Sequence, residues 1–468
     1  MDVTLTLNAK QHSTLQAHLF PEDYREAAAI ILCGRRVGQR RHRLVACQIH
    51  PIPYEQCIDR TPTSITWSTD VLASLLDRAE IDGLTVVKVH SHPTGAAQFS
   101  ATDDEGDHRL LAAIRDWFDD DRYHASAIML PDGRLFGRYI SSEGGFQPLT
   151  HINVVGDDLT FWYPDERRDE TPEFAASHAQ VFGEGTFARL RRLSVAVVGC
   201  SGTGSPVIEQ LARLGVGELV LVDPDKTEAR NINRILNATM EDARACRPKV
   251  DVLADAVRRM ETGTRAIPLE LNLWTADAVK AVAQCDLVFG CLDTIDGRFL
   301  LNAIATYYQL PYIDLGVRIA AVADGPQKGK LLAVCGGVHF LQPGGSSLIS
   351  RRLFTMEEVR AAGLARTDPR AYEEQRREGY ISGVQVHRPA VITLNMLLAS
   401  LGVNELLARL HPYRDEPNHA YDHIQVNLGD MEVIPSSKPE PCPIFKNDIG
   451  KGDVCPLLDL PELSGRRH

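Results

Sequence analysis

Two sets of residues in this chain have types and spacings suited to chemistry. The first is His90-Ser91-His92-Pro93, six further residues, then Ser100-Ala101-Thr102-Asp103. Two histidines two positions apart face the same way at the end of a strand. A carboxylate in the first turn of a following helix can swing towards them. Two His and one carboxylate leave a tetrahedral Zn²⁺ an open fourth position, the arrangement of a catalytic site. The second set is a glycine turn, Gly199-Cys200-Ser201-Gly202-Thr203-Gly204, followed by Asp223-Pro224-Asp225, Asn231-Ile232-Asn233-Arg234, Lys249 after Pro248, and Asp293. Backbone N–H groups of such a turn, with a helix N-terminus behind them, suit phosphate, and Asp223 is placed for ribose hydroxyls. Arg234 and Lys249 can neutralise β- and γ-phosphate charge, and Asp293 can hold Mg²⁺.

The elements that must position these residues are legible nearby. Leu84 to Val89 is β-branched and apolar and predicts a strand running into His90. Ser100 predicts a helix N-cap, with Asp103, Asp104, Glu105 and Asp107 in the first turns. Leu193 to Val198 predicts a buried strand; Val207, Leu211 and Leu214 mark a helix that stops at Gly215, and Leu219 to Asp223 predicts the next strand. Strand, glycine turn, helix, strand and terminal Asp make a βαβ nucleotide unit. Taken singly, each residue has an ordinary reading: strand-end histidines, an N-cap pair, solvated surface cations. The combinations favour chemistry. Ser201 stands where the dinucleotide fingerprint has its second glycine, and a dehydrogenase needs no fixed Arg and Lys after its ribose acid. A triphosphate is therefore the expected ligand, with an NAD-dependent dehydrogenase as a rival.

A chain of 468 residues is long enough for two or three domains, and 44% hydrophobic with 24% charged residues is an ordinary globular composition. The net charge of −12 gives no global attraction for nucleic acid or anionic membrane. The stretch from Ala390 to Leu410 carries Asn395, Asn404, Glu405 and Arg409 and reads as a buried helix, not a membrane span. Without a basic start and apolar core at Met1 to Leu5, and with ten cysteines lacking any Cys-x-x-Cys pair, the expected location is cytoplasmic. The fold class is α/β. Composition shifts divide it into residues 1–140 around the histidine cluster, a polar linker at 141–178, an α/β region at 179–433 and an irregular tail at 434–468. Arg351 to Gly379 predicts a charged helical insertion within the third part.

His-Ser-His-Pro-x6-Ser-x2-Asp resembles the signature of the JAMM (MPN+ or JAB) metalloproteases. That resemblance implies an α/β domain of this type, Zn²⁺ on His90, His92 and Asp103, oxyanion stabilisation by Ser100, and cleavage of peptide or isopeptide bonds after ubiquitin-like proteins. It also implies a glutamate general base ahead of the cluster. Glu26, before Ala27-Ala28-Ala29-Ile30-Ile31-Leu32-Cys33-Gly34, is the matching position, with Glu22 one helical turn away. Residues from about 180 to 430 resemble the ThiF/MoeB/ubiquitin-activating superfamily through Gly199, Gly202, Gly204, Asp223, Asp225, Asn231, Arg234, Lys249 and Asp293, with Arg298 and Asn302 beyond. What this implies is a Rossmann-like, mainly parallel sheet that uses ATP and Mg²⁺ to adenylate the C-terminal glycine of a ubiquitin-like protein, commonly as a homodimer. A conjugating-enzyme-like protein is a further implied partner. Superfamily members often bind a structural zinc through two Cys-x-x-Cys pairs; here Ser347 and Ser350 follow Pro343-Gly344-Gly345, and Cys442 retains one thiol, so this zinc is expected to be absent. No cysteine lies in Arg351 to Gly383, which favours a reaction that stops at the acyl adenylate; Cys335 is the nearest upstream thiol, and Ser347 or Ser350 is a remoter carrier. The superfamily's extra arginine has three candidates, Arg189, Arg191 and Arg192. The expected whole is a two-headed enzyme of a bacterial-type ubiquitin-like pathway. Its rivals are a sulfur-carrier-activating enzyme of cofactor or siderophore biosynthesis and a catalytically dead scaffold.

Overall fold

The structure is a computed structural model and describes residues 1–118, 122–141, 144–165, 171–322, 325, 327–378 and 391–464. Parts of the expected linker (142–143 and 166–170), the last residue of the charged insertion (379), the end of the cysteine-free segment (379–383) and the last four residues of the tail lie outside them. The chain forms two compact units. One comprises Met1–Arg167 with Thr306–Gln309 and Asp448–Pro461, and the other takes the rest.

The first unit is built on eleven strands: β1 (Asp2–Asn8), β2 (Ala28–Arg36), β3 (Arg41–Pro51), β4 (Cys57–Thr61), β5 (Ser64–Trp67), β6 (Thr85–Ser91), β7 (Ala125–Met129), β8 (Leu135–Ile140), β9 (Phe146–Pro148), β10 (His151–Val155) and β11 (Leu159–Trp162). Nine of them form one mixed sheet in the order β11-β10-β1-β3-β2-β6-β7-β8-β9, and β4 and β5 form a separate hairpin. Helix α1 (Ala9–Leu19) packs Leu15 and Leu19 on one face of the sheet against Ala29, Ile31 and Cys33 of β2. Helices α2 (Asp70–Ile81) and α3 (Ala101–Phe118) pack Leu72, Leu76, Leu111 and Ile114 on the other, against Ala28, Ile30 and Leu32. The unbroken apolar run of β2 is thus explained by burial on both faces.

Residues 146–162, expected as linker, are strands of this sheet: β10 pairs in parallel with β1, and β11 closes back on β10. The Gly and Asp residues at 156–158 that suggested a linker make the tight turn between them. The expected irregular tail is likewise tied down in part. Gly34 N–H donates to Gly450 O at 3.1 Å, Asp453 N–H donates to Arg35 O at 2.6 Å, and the Asp453 carboxylate pairs with Arg36. A Cβ on Gly34 would stand 2.2 Å from Gly450 O, so the tail lies directly on bare backbone.

In the second unit, helices α4 (Ala176–Phe182) and α5 (Glu184–Arg192) precede β12 (Ser194–Val198), α6 (Gly204–Arg213) and β13 (Glu218–Val222). Then come α7 (Met240–Arg244), α8 (Lys249–Arg259), β14 (Arg265–Leu269), α9 (Ala276–Val282), β15 (Leu287–Gly290), α10 (Ile295–Tyr307), β16 (Tyr312–Ala321) and β17 (Leu331–Leu341). Helices α11 (Met356–Thr367), α12 (Pro369–Arg377) and α13 (Ile392–Leu410) lead to β18 (His423–Asn427) and β19 (Glu432–Ser436). The sheet order is β14-β13-β12-β15-β16-β17-β18-β19, parallel from β14 to β16 and antiparallel from there to β19. The expected glycine-turn βαβ unit is β12-α6-β13. Helix α13 packs on α6 and on β16 and β17, and among the described residues no helix is long and apolar enough to cross a membrane.

Candidate functional site

The fold brings the first set of residues together at the end of β6. His90 is fully buried, with Ala28 of β2 and Ile128 of β7 beside it in the sheet. His92 continues the ladder by donating its N–H to Met129 O at 3.0 Å. Its ring Nδ1 meets Ala96 O at 2.8 Å, which assigns the proton to Nδ1 and turns the Nε2 lone pair inwards. The two Nε2 atoms are 3.2 Å apart, and the Asp103 oxygens reach them at 3.0 Å (His90) and 3.5 Å (His92). Among the described residues these three side chains form a group whose ligand atoms all lie within 4.8 Å of one another. Two imidazole lone pairs and a carboxylate facing one point are a donor set that fits Zn²⁺.

Ser100 caps α3 as its spacing predicts: its hydroxyl and N–H both donate to Asp103 at 2.7 Å, and Asp103 N–H donates back at 3.1 Å. The capping reading and the site reading coincide in one pair of residues. One turn along, buried Asp107 accepts from Lys88 of β6 at 2.7 Å and from Arg138 of β8 at 2.8 Å, which seats α3 against the sheet. Burial opposes ionisation of Asp103, but hydrogen bonds with His90, His92 and Ser100 outweigh it and hold the carboxyl well below its usual range. For His90 burial wins, and its imidazole falls to about 4.

Glu26, just before β2, is 3% exposed, and its carboxylate lies 4.0 Å from His92 Nε2. Glu22 is exposed to solvent. Burial pushes the Glu26 carboxyl up to about 7, although His92 pulls the other way. Its backbone is gripped from both sides by the β4–β5 hairpin: Glu26 N–H donates to Thr61 O at 2.8 Å, and Arg60 Nε donates to Glu26 O at 2.8 Å. Arg60 was not foreseen, since nothing in a lone surface-type arginine signals a bond to a distant carbonyl.

The second set of residues lines a cavity of about 830 Å³ at the carboxyl ends of the parallel strands, where open α/β sheets bind ligands. Gly199 has φ of 94°, and a Cβ on Gly204 would stand 1.8 Å from Gly199 O, so the turn closes only with glycine at these positions. Asp223 is buried at the end of β13 and accepts from Cys200 N–H at 2.7 Å and Asp225 N–H at 2.8 Å, with lone pairs left for a ligand. Burial raises its carboxyl, while Lys249 opposes the rise. Lys249 opens α8; its Nζ lies 2.7 Å from Asp225 and 3.9 Å from Asp223. Asn231 accepts from Glu228 N–H at 3.1 Å, and Arg234, held by Arg230 O at 2.8 Å, reaches the rim beside Gly202. Asp293 follows β15 on the same wall.

Two positions quoted for the family pattern serve elsewhere. Arg298 is buried in a pair with Asp314 (Nε to Oδ1, 3.0 Å), and Asn302 accepts from Leu348 N–H at 3.1 Å. Arg189 and Arg191 are engaged by the carbonyls of Leu410 and Thr262 at 3.2 and 3.1 Å. Among the lining residues that sequence reasoning missed are Trp274, Arg366, Tyr372 and Asn395. Arg366 stands over the Trp274 ring at 4.0 Å and bonds Asp296 at 2.8 Å, so the charged insertion contributes a wall. In the sequence Asn395 reads only as a polar residue in an apolar helix. At the corner that holds Ser347, Ser350 and Cys442, Ser347 Oγ donates to Cys442 Sγ at 3.0 Å, and Ser347 N–H donates to Ser350 Oγ at 2.9 Å.

Comparison with known proteins follows the same division. The model of the ThiF family matches residues 175–444, and that of prokaryotic homologs of the JAB domain matches residues 8–138. The adenylyltransferase and sulfurtransferase MOCS3 of Danio rerio is 32% identical over 125 residues, which is 26% of this chain and 27% of that protein. Ubiquitin-like modifier-activating enzyme 5 of Aedes aegypti is 25% identical over 252 residues, 50% of this chain and 60% of that one. The SAMP-activating enzyme E1 of Haloferax volcanii is 33% identical over 144 residues, 30% and 53% of the two chains. The chain thus spans between 27% and 60% of the length of these curated relatives. Among solved structures, E. coli MccB with MccA-N7isoASN aligns at a TM-score of 0.45 and 15% identity, over 58% of this chain and 75% of that one.

Proposed function

The chain belongs to the ThiF family and carries a JAB domain ahead of its ThiF region, and from that premise we propose a two-headed enzyme of ubiquitin-like modification. One head adenylates the C-terminal glycine of a ubiquitin-like protein with ATP and Mg²⁺. The other cleaves the peptide or isopeptide bond after that glycine, trimming a precursor or releasing the modifier from a target.

The observation that carries the adenylation half is the gathering of Asp223, Asp225, Arg234, Lys249 and Asp293 around the glycine turn in one cavity. Asp223 holds the ribose, and the N–H groups of the turn and the start of α6 receive phosphate. Lys249 and Arg234 offset the charge that grows on the α-phosphate and departing pyrophosphate as the glycine carboxylate attacks. Asp293 is the residue that would hold Mg²⁺. Cys291, which lines the cavity, has its thiol pushed up by burial. A thiol kept protonated is a poor acyl acceptor, which favours transfer of the adenylate to an external nucleophile.

For the cleaving half, His90, His92 and Asp103 would hold Zn²⁺, which when bound polarises the scissile carbonyl and acidifies water. Glu26 takes the proton of the attacking water and passes it to the leaving amine. A carboxyl raised towards neutrality suits both roles. Ser100 Oγ, whose proton rests on Asp103, turns from it to donate to the developing oxyanion.

Activation of a sulfur carrier is the second reading, favoured by the 32% identity to a protein named as an adenylyltransferase and sulfurtransferase. Nucleotide choice tests the shared premise. Purified full-length chain should bind ATP and exchange labelled pyrophosphate into it in the presence of a ubiquitin-fold protein ending in glycine. Tight binding of NAD without exchange would leave the dehydrogenase reading standing instead. Resolution of the adenylate by persulfide, as opposed to lysine, separates sulfur transfer from conjugation.

A further inference from the structure

We propose that Asn395 is a nucleotide-binding residue whose side-chain Nδ2 donates a hydrogen bond to the phosphate chain of ATP at the Gly202 turn. The proposal rests on the adenylation reading and adds a contact to it. Asn395 lies in the first turn of α13 and is 2% exposed. Its Oδ1 accepts from Thr203 Oγ1 at 3.4 Å, whereas Nδ2 has no hydrogen-bond partner. Native chains seldom bury an amide donor without an acceptor, because the donor has given up its water for nothing. Such a group in the wall of a cavity is suited to an acceptor that arrives with the ligand.

The surroundings specify that acceptor. A Cβ on Gly202 would stand 2.3 Å from Asn395 Nδ2 and 3.2 Å from Arg234 Cδ, so only the bare glycine lets the amide and the arginine pack this closely on the turn. Gly202, Arg234 and Asn395 all line the 830 Å³ cavity. The start of α6 at Gly204 presents its backbone N–H groups at the same turn. An amide donor, a guanidinium and a helix N-terminus together call for an anionic, acceptor-only group, and a phosphate oxygen is one. Leaving Nδ2 unpaired in the apo chain then serves function at the expense of stability.

The test is calorimetric titration of Mg²⁺ and ATP into the full-length wild type and the Asn395→Ala, Asn395→Leu and Asn395→Asp variants, with thermal melts of each in the absence of nucleotide. The dissociation constant is expected to rise about tenfold for Ala and Leu, as for loss of one hydrogen bond to a charged group. It should rise further for Asp, which turns a donor into an anion of the same shape. Without nucleotide, Asn395→Leu should melt no lower than wild type, since it removes an unpaired donor. ATP affinity unchanged in all three variants would overturn the assignment while leaving the adenylation reading intact. A melt of Asn395→Leu well below wild type would make the residue structural and overturn it as well. Failure of the wild type to bind ATP would overturn both.

Discussion

The two candidate sites are assembled in opposite ways. The candidate JAB site draws its proposed ligands and its serine from positions 90–103, with one glutamate supplied from just before the strand alongside. The nucleotide cavity collects residues from Val198 to Asn395, across most of the second unit. A local site depends on one strand end and one helix cap, so its spacing nearly fixes its geometry. A dispersed site depends on the whole sheet and on helices that close over it.

The sharpest break in this comparison is Glu26→Gln. It keeps the volume but removes the base, and should lower cleavage by about 10²- to 10⁴-fold with zinc content and ATP–pyrophosphate exchange unchanged. Parallel assays with metal analysis check it, and equal cleavage by variant and wild type would sink the assignment of the base. A smaller effect should follow Arg60→Gln, which releases the Glu26 carbonyl from the hairpin. We expect kcat to fall about tenfold with KM and bound zinc little changed, as for a misplaced catalytic group. Partial recovery in Arg60→Lys would fit positioning by a hydrogen bond, and a change confined to KM would contradict it.

The smallest effect concerns stability of the first unit. Burial, with Arg35 and Arg36 nearby, lowers the buried His42 imidazole to about 4. Between the unfolded value near 6.5 and about 4, the unfolded chain binds a proton that the folded chain does not. Stability is therefore unaffected by His42 above about pH 6.5 and falls as pH drops from there towards 4, by about 3 kcal/mol. In denaturant melts across that window the wild type should lose about 3 kcal/mol more than His42→Leu; parallel curves would show that His42 is not the titrating group.

Legibility in the sequence follows the same divide. His90, His92, Ser100 and Asp103 were readable because strand alternation and helix capping are local rules that spacing reports. So were the glycine turn and Asp223, which belong to one βαβ unit. Arg366, Trp274 and Asn395 were not, because they reach the cavity through packing of α11, α13 and the loop after β14, which no local pattern encodes. Composition also misled at 146–162, where the Gly and Asp residues of a tight turn imitate a linker. Arg298 and Asn302 fit a pattern but are committed to Asp314 and Leu348, a distinction only tertiary structure makes.

If the JAB head cuts after the same glycine that the ThiF head activates, trimming must precede activation. The substrate to use is a ubiquitin-fold protein extended by a few residues beyond its glycine, with ATP–pyrophosphate exchange followed for wild type and Glu26→Gln. Wild type should gain exchange as the extension is removed. Glu26→Gln should stay silent on the extended protein yet exchange normally on the pre-trimmed one. Equal exchange by both enzymes on the extended protein, or none by either on the trimmed form, would contradict it.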